Sequence, residues 1–164
     1  MGLKQLLIIR HAKSSWAVQG QNDFDRPLNE RGQRDAPMMA QRLRDKQVAI
    51  DAFISSTANR ALTTAGYFAQ AYQIPKKSIM QFRELYHAPA AVFYNVISKL
   101  DDNINTAAVF AHNPGITEFV NLLTATQVDD MPTCAVFAVK ADISQWKEFK
   151  AAKKIFWFFD YPKL

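Results

Sequence analysis

The segment Leu3–Ile9 (L-K-Q-L-L-I-I) is a short apolar run that stops abruptly at Arg10-His11. Consecutive apolar residues without polar alternation mark a strand buried on both faces, which needs a parallel sheet covered by helices on each side. Two more short strands follow, Ala52–Ile54 after Asp51 and Thr106–Ala111 between Asn105 and His112. Helical stripes fall between them. Ala58–Gln73 sets Ala61, Leu62, Ala65, Phe68, Ala69 and Tyr72 on one face, with Thr57 as the expected N-cap. Pro89–Leu100 starts with proline near its first helical position, and Pro114–Thr124 has Asn113 as N-cap and Pro114 at N1. Asn29–Lys46 reads as helical too, but Pro37 removes a backbone donor and crowds the preceding turn, so a kink or a start near Asp35 is expected. Ala135–Val139 and Ile155–Phe159 read as strands, with the I-F-W-F-F run in the core. The alternation predicts an α/β fold, a three-layer α/β/α sandwich with a mainly parallel sheet. No repeat or flexible linker interrupts it, so residues 1–164 are expected to form a single domain.

Charge narrows the function. The chain carries 20 Lys+Arg against 15 Asp+Glu, and all eight arginines precede residue 84. The basic residues are dispersed rather than set in a stripe with aromatics, so no nucleic-acid partner is expected, and the excess points to an anionic ligand. Arg31, Arg34, Arg42 and Arg44 read as a solvated helix face. Cys134 is the single cysteine, which excludes an internal disulfide and a C-x-x-C metal or redox pair; it reads as an inert buried thiol. With only His11, His87 and His112 as histidines, no metal site and no cofactor are expected. The apolar runs fall short of a bilayer span and Met1–Arg10 lacks a cleavage site, so no membrane association and a reducing cytoplasm are expected.

The chemistry collects where strands end. In open parallel sheets ligands bind in the crevice beyond the carboxyl ends of strands. Here the first strand runs into Arg10-His11, the second into Ser55–Arg60, and the third into His112-Asn113-Pro114-Gly115. Two histidines and two arginines therefore arrive on one rim. Arginines bind oxyanions through charge-assisted, often bidentate bonds, and helix N-termini add backbone donors. Such a rim suits a phosphoryl group, which a neutral His11 could attack while Arg10, Arg60 and His112 hold the equatorial oxygens. Ser55, Ser56 and Thr57 read as turn and cap residues.

L-L-I-I-R-H-A-K-S at Leu6–Ser14, S-S-T-A-N-R-A-L-T-T-A around Arg60 and V-F-A-H-N-P-G around His112 together resemble the histidine phosphatase superfamily, the phosphoglycerate-mutase-like group. R-H-A-K-S and D-F-D-R-P-L-N-E-R-G resemble its SixA-like phosphohistidine phosphatase branch. The resemblance runs from Leu3 to the C-terminal Phe156–Leu164 stretch. It implies a phosphoglycerate-mutase-like fold, His11 as nucleophile, and Arg10, Arg60 and His112 as phosphate clamp. It also implies an extra pocket arginine at Arg26, which could equally anchor its own loop through Asp23 or Asp25. Glu84, in F-R-E-L-Y-H-A, matches the acid that protonates the leaving group in many members, and His87 competes for that role. Ala12 stands where the signature has glycine, Thr57 where S-S-P is common, and Ala111 where glycine is usual.

The resulting expectation is a metal-independent phosphatase working through a covalent phosphohistidine intermediate. Its expected substrate is phosphohistidine on a protein, such as a phosphotransfer domain or phosphocarrier. Two alternatives stay open at this level: a small-molecule phosphomonoesterase using Glu84 as general acid, and a non-catalytic phosphoprotein-binding module.

Overall fold

The computed structural model describes residues 2–163; Met1 and Leu164, the ends of the expected domain, lie outside the described residues. Six strands form one sheet: β1 (Lys4–Arg10), β2 (Ala52–Ser56), β3 (Met80–Phe82), β4 (Thr106–Ala111), β5 (Val136–Ala141) and β6 (Ile155–Asp160). Their order is β3-β2-β4-β1-β5-β6. The first four pair in parallel, and β5 and β6 join by antiparallel ladders. The sheet is thus parallel where it carries the site and antiparallel at one side.

Alternation along β1 divides the core. Leu6 and Ile8 point into one apolar cluster, Leu7 and Ile9 into the other. Helices α1 (Glu30–Asp45) and α2 (Asn59–Ala71) cover the second cluster with Met39, Leu43, Ala65 and Phe68. Helices α3 (Ala90–Ser98) and α4 (Gly115–Asn121) cover the first with Phe93, Ile97, Phe119 and Val120. This is the α/β/α sandwich that the apolar runs predict.

Several local expectations are corrected. Helix α1 begins at Glu30, not near Asp35, and runs through Pro37. Asn29 caps it by accepting from the Gly32 N–H at 2.9 Å, and Ala36, Met39, Ala40 and Leu43 bury one stripe. Pro37 lies on the exposed side, where water can meet the carbonyl it leaves unbonded, so packing outweighs one missing bond. Thr57 does not cap α2: the N-cap is Ala58, whose N–H donates to Ser56 Oγ at 3.1 Å. Asn113 does not cap α4 either. Its side chain accepts from Thr117 Oγ1 and donates to Asp130 Oδ1, and the helix starts at Gly115. The I-F-W-F-F run is an edge strand, not core: Ile155 and Phe156 are exposed and the next three residues half-buried. Arg42 is no merely solvated residue, since it donates to Asp160 Oδ1 at 2.9 Å and ties α1 to β6. Cys134 is buried just ahead of β5, in the left-handed region at φ 61°, and its N–H donates to the Arg10 and His11 carbonyls. No helix among the described residues is long and apolar enough to cross a membrane.

Candidate active site

Sheet register brings the two histidines together. Arg10 on β1 pairs with Ala111 on the neighbouring strand β4, so His11 and His112 leave the sheet side by side. Their ring centroids lie 5.2 Å apart, and both residues are buried. The His11 N–H donates to the Ala111 carbonyl at 3.1 Å, which fixes the start of the loop. Gly115 holds the far wall. A Cβ there would come within 1.7 Å of the Ala88 carbonyl oxygen, so only glycine lets α4 close on the segment beside His87.

The hydrogen bonds assign His11 a tautomer. His11 Nδ1 lies 2.7 Å from the Ala12 carbonyl oxygen, which can only accept, so the proton sits on Nδ1. Nε2 then carries the lone pair, and Arg60 Nε donates to it at 3.3 Å. Burial pushes the His11 pKa down to about 3; the Ala12 bond opposes this, and the charges of Arg60, Arg10 and Arg26 add to it. His11 is therefore neutral near pH 7, with a nucleophilic nitrogen facing a guanidinium. Ser56 Oγ accepts from the Ala58 N–H and lies 2.7 Å from His112 Nε2. His112 Nδ1 is buried without a hydrogen-bond partner among the described residues. Burial, then repulsion between the two imidazoles as they take protons, then the Arg60 charge, pushes the His112 pKa down to about 2. Ser56 is thus a support of the site, not only a turn residue.

The arginines come from three elements. Arg10, at the end of β1, donates to the Met131 carbonyl at 2.8 Å. Burial lowers its pKa and the nearby Asp130 charge opposes this. Arg60, in the first turn of α2, is buried and spends its other two nitrogens on Asp23: one reaches the backbone carbonyl at 2.6 Å, the other Oδ2 at 2.9 Å. Arg26 is buried, donates to Asp23 Oδ1 at 3.0 Å and to Ser14 Oγ at 2.7 Å, and stacks 3.4 Å from the Trp16 ring centroid. It anchors its own loop, as one reading allowed, and its charge also bears on His11.

Glu84 is not brought into this cluster. It lies exposed in the turn Arg83–Leu85, with no hydrogen bond or ion pair to the residues above. Its neighbours are the ones that reach inward. Tyr86 donates to Asp23 Oδ2 at 2.5 Å, and its ring stands 5.5 Å from that of His112. His87 sits at the rim, its side chain 60% exposed and its Nε2 3.8 Å from Asp23 Oδ2. Sequence reasoning passed over Asp23 and Tyr86 as site residues. The available signal was D-F-D-R placing a carboxylate three residues before Arg26, and E-L-Y-H placing Tyr86 between the two candidate acids. Among the described residues no group of three or more His, Cys, Asp or Glu side chains is arranged to hold a metal ion.

Both histidines are neutral when folded, so acid should weaken the fold. In the unfolded chain a histidine takes its proton near pH 6.5, whereas the folded His11 and His112 do so only near 3 and 2. Between those limits the unfolded state binds more protons, and stability falls as pH falls. Melting curves should show Tm declining from about pH 6.5, before unperturbed carboxylates titrate. A Tm unchanged between pH 7 and 5 would contradict the assigned protonation states.

A neutral imidazole with its lone pair toward a guanidinium, flanked by two further arginines and an N–H-bearing histidine, can receive a phosphoryl group and hold its charge. That is the chemistry of phosphatases that work through histidine. The chain belongs to the histidine phosphatase superfamily (branch 1), whose family pattern matches residues 6–91. A Mycobacterium tuberculosis protein described only as uncharacterized is 32% identical over 122 residues, covering 74% of this chain and 73% of its own. A solved structure described as the putative phosphohistidine phosphatase SixA from Agrobacterium tumefaciens superposes with TM-score 0.82 at 25% identity, covering 97% of this chain and 98% of its own. A mycobacterial glucosyl-3-phosphoglycerate phosphatase shares the fold at TM-score 0.65 and 15% identity, over 97% of this chain and 98% of its own. This chain is a histidine-dependent phosphatase, on a fold that serves more than one substrate.

Proposed function

We propose that the protein hydrolyses phosphohistidine carried on another protein, through a phosphorylated His11. The observation that carries this reading is the His11 tautomer: Nδ1–H tied to the Ala12 carbonyl, Nε2 free to attack and faced by Arg60 Nε. In the first step Nε2 bonds to phosphorus as the bond to the leaving imidazole breaks. Arg60 Nε–H, losing its lone-pair partner, turns to a phosphoryl oxygen, joined by Arg10 and by His112. Water then attacks phosphorus, the P–Nε2 bond breaks, and neutral His11 and inorganic phosphate are released.

The leaving group decides between substrates. An alkoxide must be protonated as it departs, whereas a phosphohistidine already protonated on its other ring nitrogen leaves as neutral imidazole. The exposed placement of Glu84 favours the second case, since the carboxyl group bonded into the cluster, that of Asp23, is held ionised by Tyr86, Arg60 and Arg26. The likeness to the Agrobacterium SixA structure supports the same choice, as does the accessible rim, where the His87 and Asp23 side chains remain 60% and 34% exposed.

The test compares kcat/KM for a phosphohistidine-bearing phosphotransfer protein with that for an aryl phosphate and a sugar phosphate. The phosphohistidine protein should be preferred over the sugar phosphate by about 100-fold or more, the scale that a matched leaving group and docking surface supply. A sugar phosphate turned over equally well would move the assignment to small-molecule esters and restore Glu84 as a candidate acid.

A further inference from the structure

Three guanidinium groups bear on His11, and like charges so close together repel unless something holds them. We propose that Asp23 is the positioning residue that aims Arg60 and Arg26 at the phosphoryl site, and that Tyr86 fixes Asp23 in turn. The proposal rests on the reading of His11 and Arg60 above but is independent of the leaving group.

The geometry is that of a hub. Oδ1 accepts from Arg26 Nε at 3.0 Å, Oδ2 accepts from Arg60 at 2.9 Å and from the Tyr86 hydroxyl at 2.5 Å, and the backbone carbonyl accepts from Arg60 at 2.6 Å. Arg60 is thus gripped along one edge, which leaves its Nε edge turned to His11 Nε2 at 3.3 Å. A backbone carbonyl and a carboxylate oxygen that each take one terminal nitrogen fix the guanidinium plane as well as its position. The turn carrying Asp23 is itself pinned: Asn22 caps it through the Asp25 N–H, and Asn59 on α2 donates to the Asp25 carbonyl. Phe24 packs edge-on against Tyr86 at 5.1 Å, so the same turn holds both members of the pair.

Asp23 is held in its ionised form. Burial raises its pKa, but the bonds from Tyr86, Arg60 and Arg26 outweigh this and keep it well below the usual carboxylate range. It is suited to orienting cations and unsuited to donating a proton. Arg26 in turn is sandwiched, with Asp23 on its Nε and the Trp16 ring stacked on its carbon, which leaves little freedom to swing away.

A thermodynamic cycle separates positioning from general support of the fold. Asp23→Ala and Tyr86→Phe are each made in the wild-type chain and in the Arg26→Ala/Arg60→Ala background, with an aryl phosphate as substrate and inorganic phosphate as inhibitor. In the wild-type chain Asp23→Ala should cut kcat/KM about 30-fold and weaken phosphate inhibition in parallel, with Tyr86→Phe costing about 3-fold to 5-fold. In the double-alanine background the Asp23→Ala loss should shrink to within about 3-fold and the Tyr86→Phe loss should vanish, because the groups they act through are gone. Full losses persisting there, or no loss in the wild-type chain, would overturn the proposal. A double-alanine parent that keeps wild-type activity would instead overturn the reading of the arginine clamp itself.

Discussion

His11→Ala should lower kcat by about 10⁴-fold or more, the scale seen when a covalent nucleophile is removed, while binding of inorganic phosphate or tungstate largely survives. The two readouts separate because His11 contributes a lone pair and the clamp contributes charge. Arg10, Arg26 and Arg60 keep their protein partners without the imidazole: Met131 for the first and Asp23 for the other two. Loss of the imidazole also relieves the mutual burial of the two rings, 5.2 Å apart, so the variant should remain folded. Anion binding is read by isothermal titration and turnover by phosphate release. Retained turnover would show that the nucleophile lies elsewhere; anion binding lost together with turnover would show that His11 is part of the clamp.

Arg60→Ala should cost about 10²-fold to 10³-fold in kcat/KM, as removal of a preorganised donor to a developing oxyanion does. Arg60→Lys should recover little of it. An ammonium cannot donate to His11 Nε2 and grip both Asp23 oxygens at once, as the guanidinium does with three nitrogens. A second effect follows in the pH profile. The Arg60 charge is one of the influences that lower the His11 and His112 pKa values, so its loss lets both rise and the acid limb of kcat/KM moves upward in pH. A variant that loses rate with no change in the acid limb would place Arg60 away from the histidines. Rescue of the rate by lysine would reduce its role to a point charge.

The histidines were legible in the sequence for a physical reason. Strands β1 and β4 are apolar runs that break off sharply, and parallel pairing carries whatever follows them to the same edge. Arg60 was legible for the same reason, one helix turn beyond β2. Asp23 was not, because its meaning lies in contacts to Arg60 and Tyr86 that are distant in the chain and arise only once α2 and the turn at Arg83–Leu85 pack around it. Cap expectations failed where a side chain had a better tertiary use: Asn113 ties to Asp130, and Ser56 rather than Thr57 meets the Ala58 N–H while turning its hydroxyl to His112. The aromatic run of β6 lies in the sheet as expected, but at its edge rather than in the core, for a related reason. Apolar composition signals a strand, but pairing order decides whether it lies in the middle of the sheet or at its edge.

The bond between phosphorus and His11 Nε2 is open to direct observation. Enzyme mixed with ³²P-labelled substrate, quenched in alkali to preserve phosphohistidine and digested, should yield label on the peptide containing His11, and a chase with unlabelled substrate should remove it at the rate of turnover. Label absent at every time point, or present equally in His11→Ala, would contradict it.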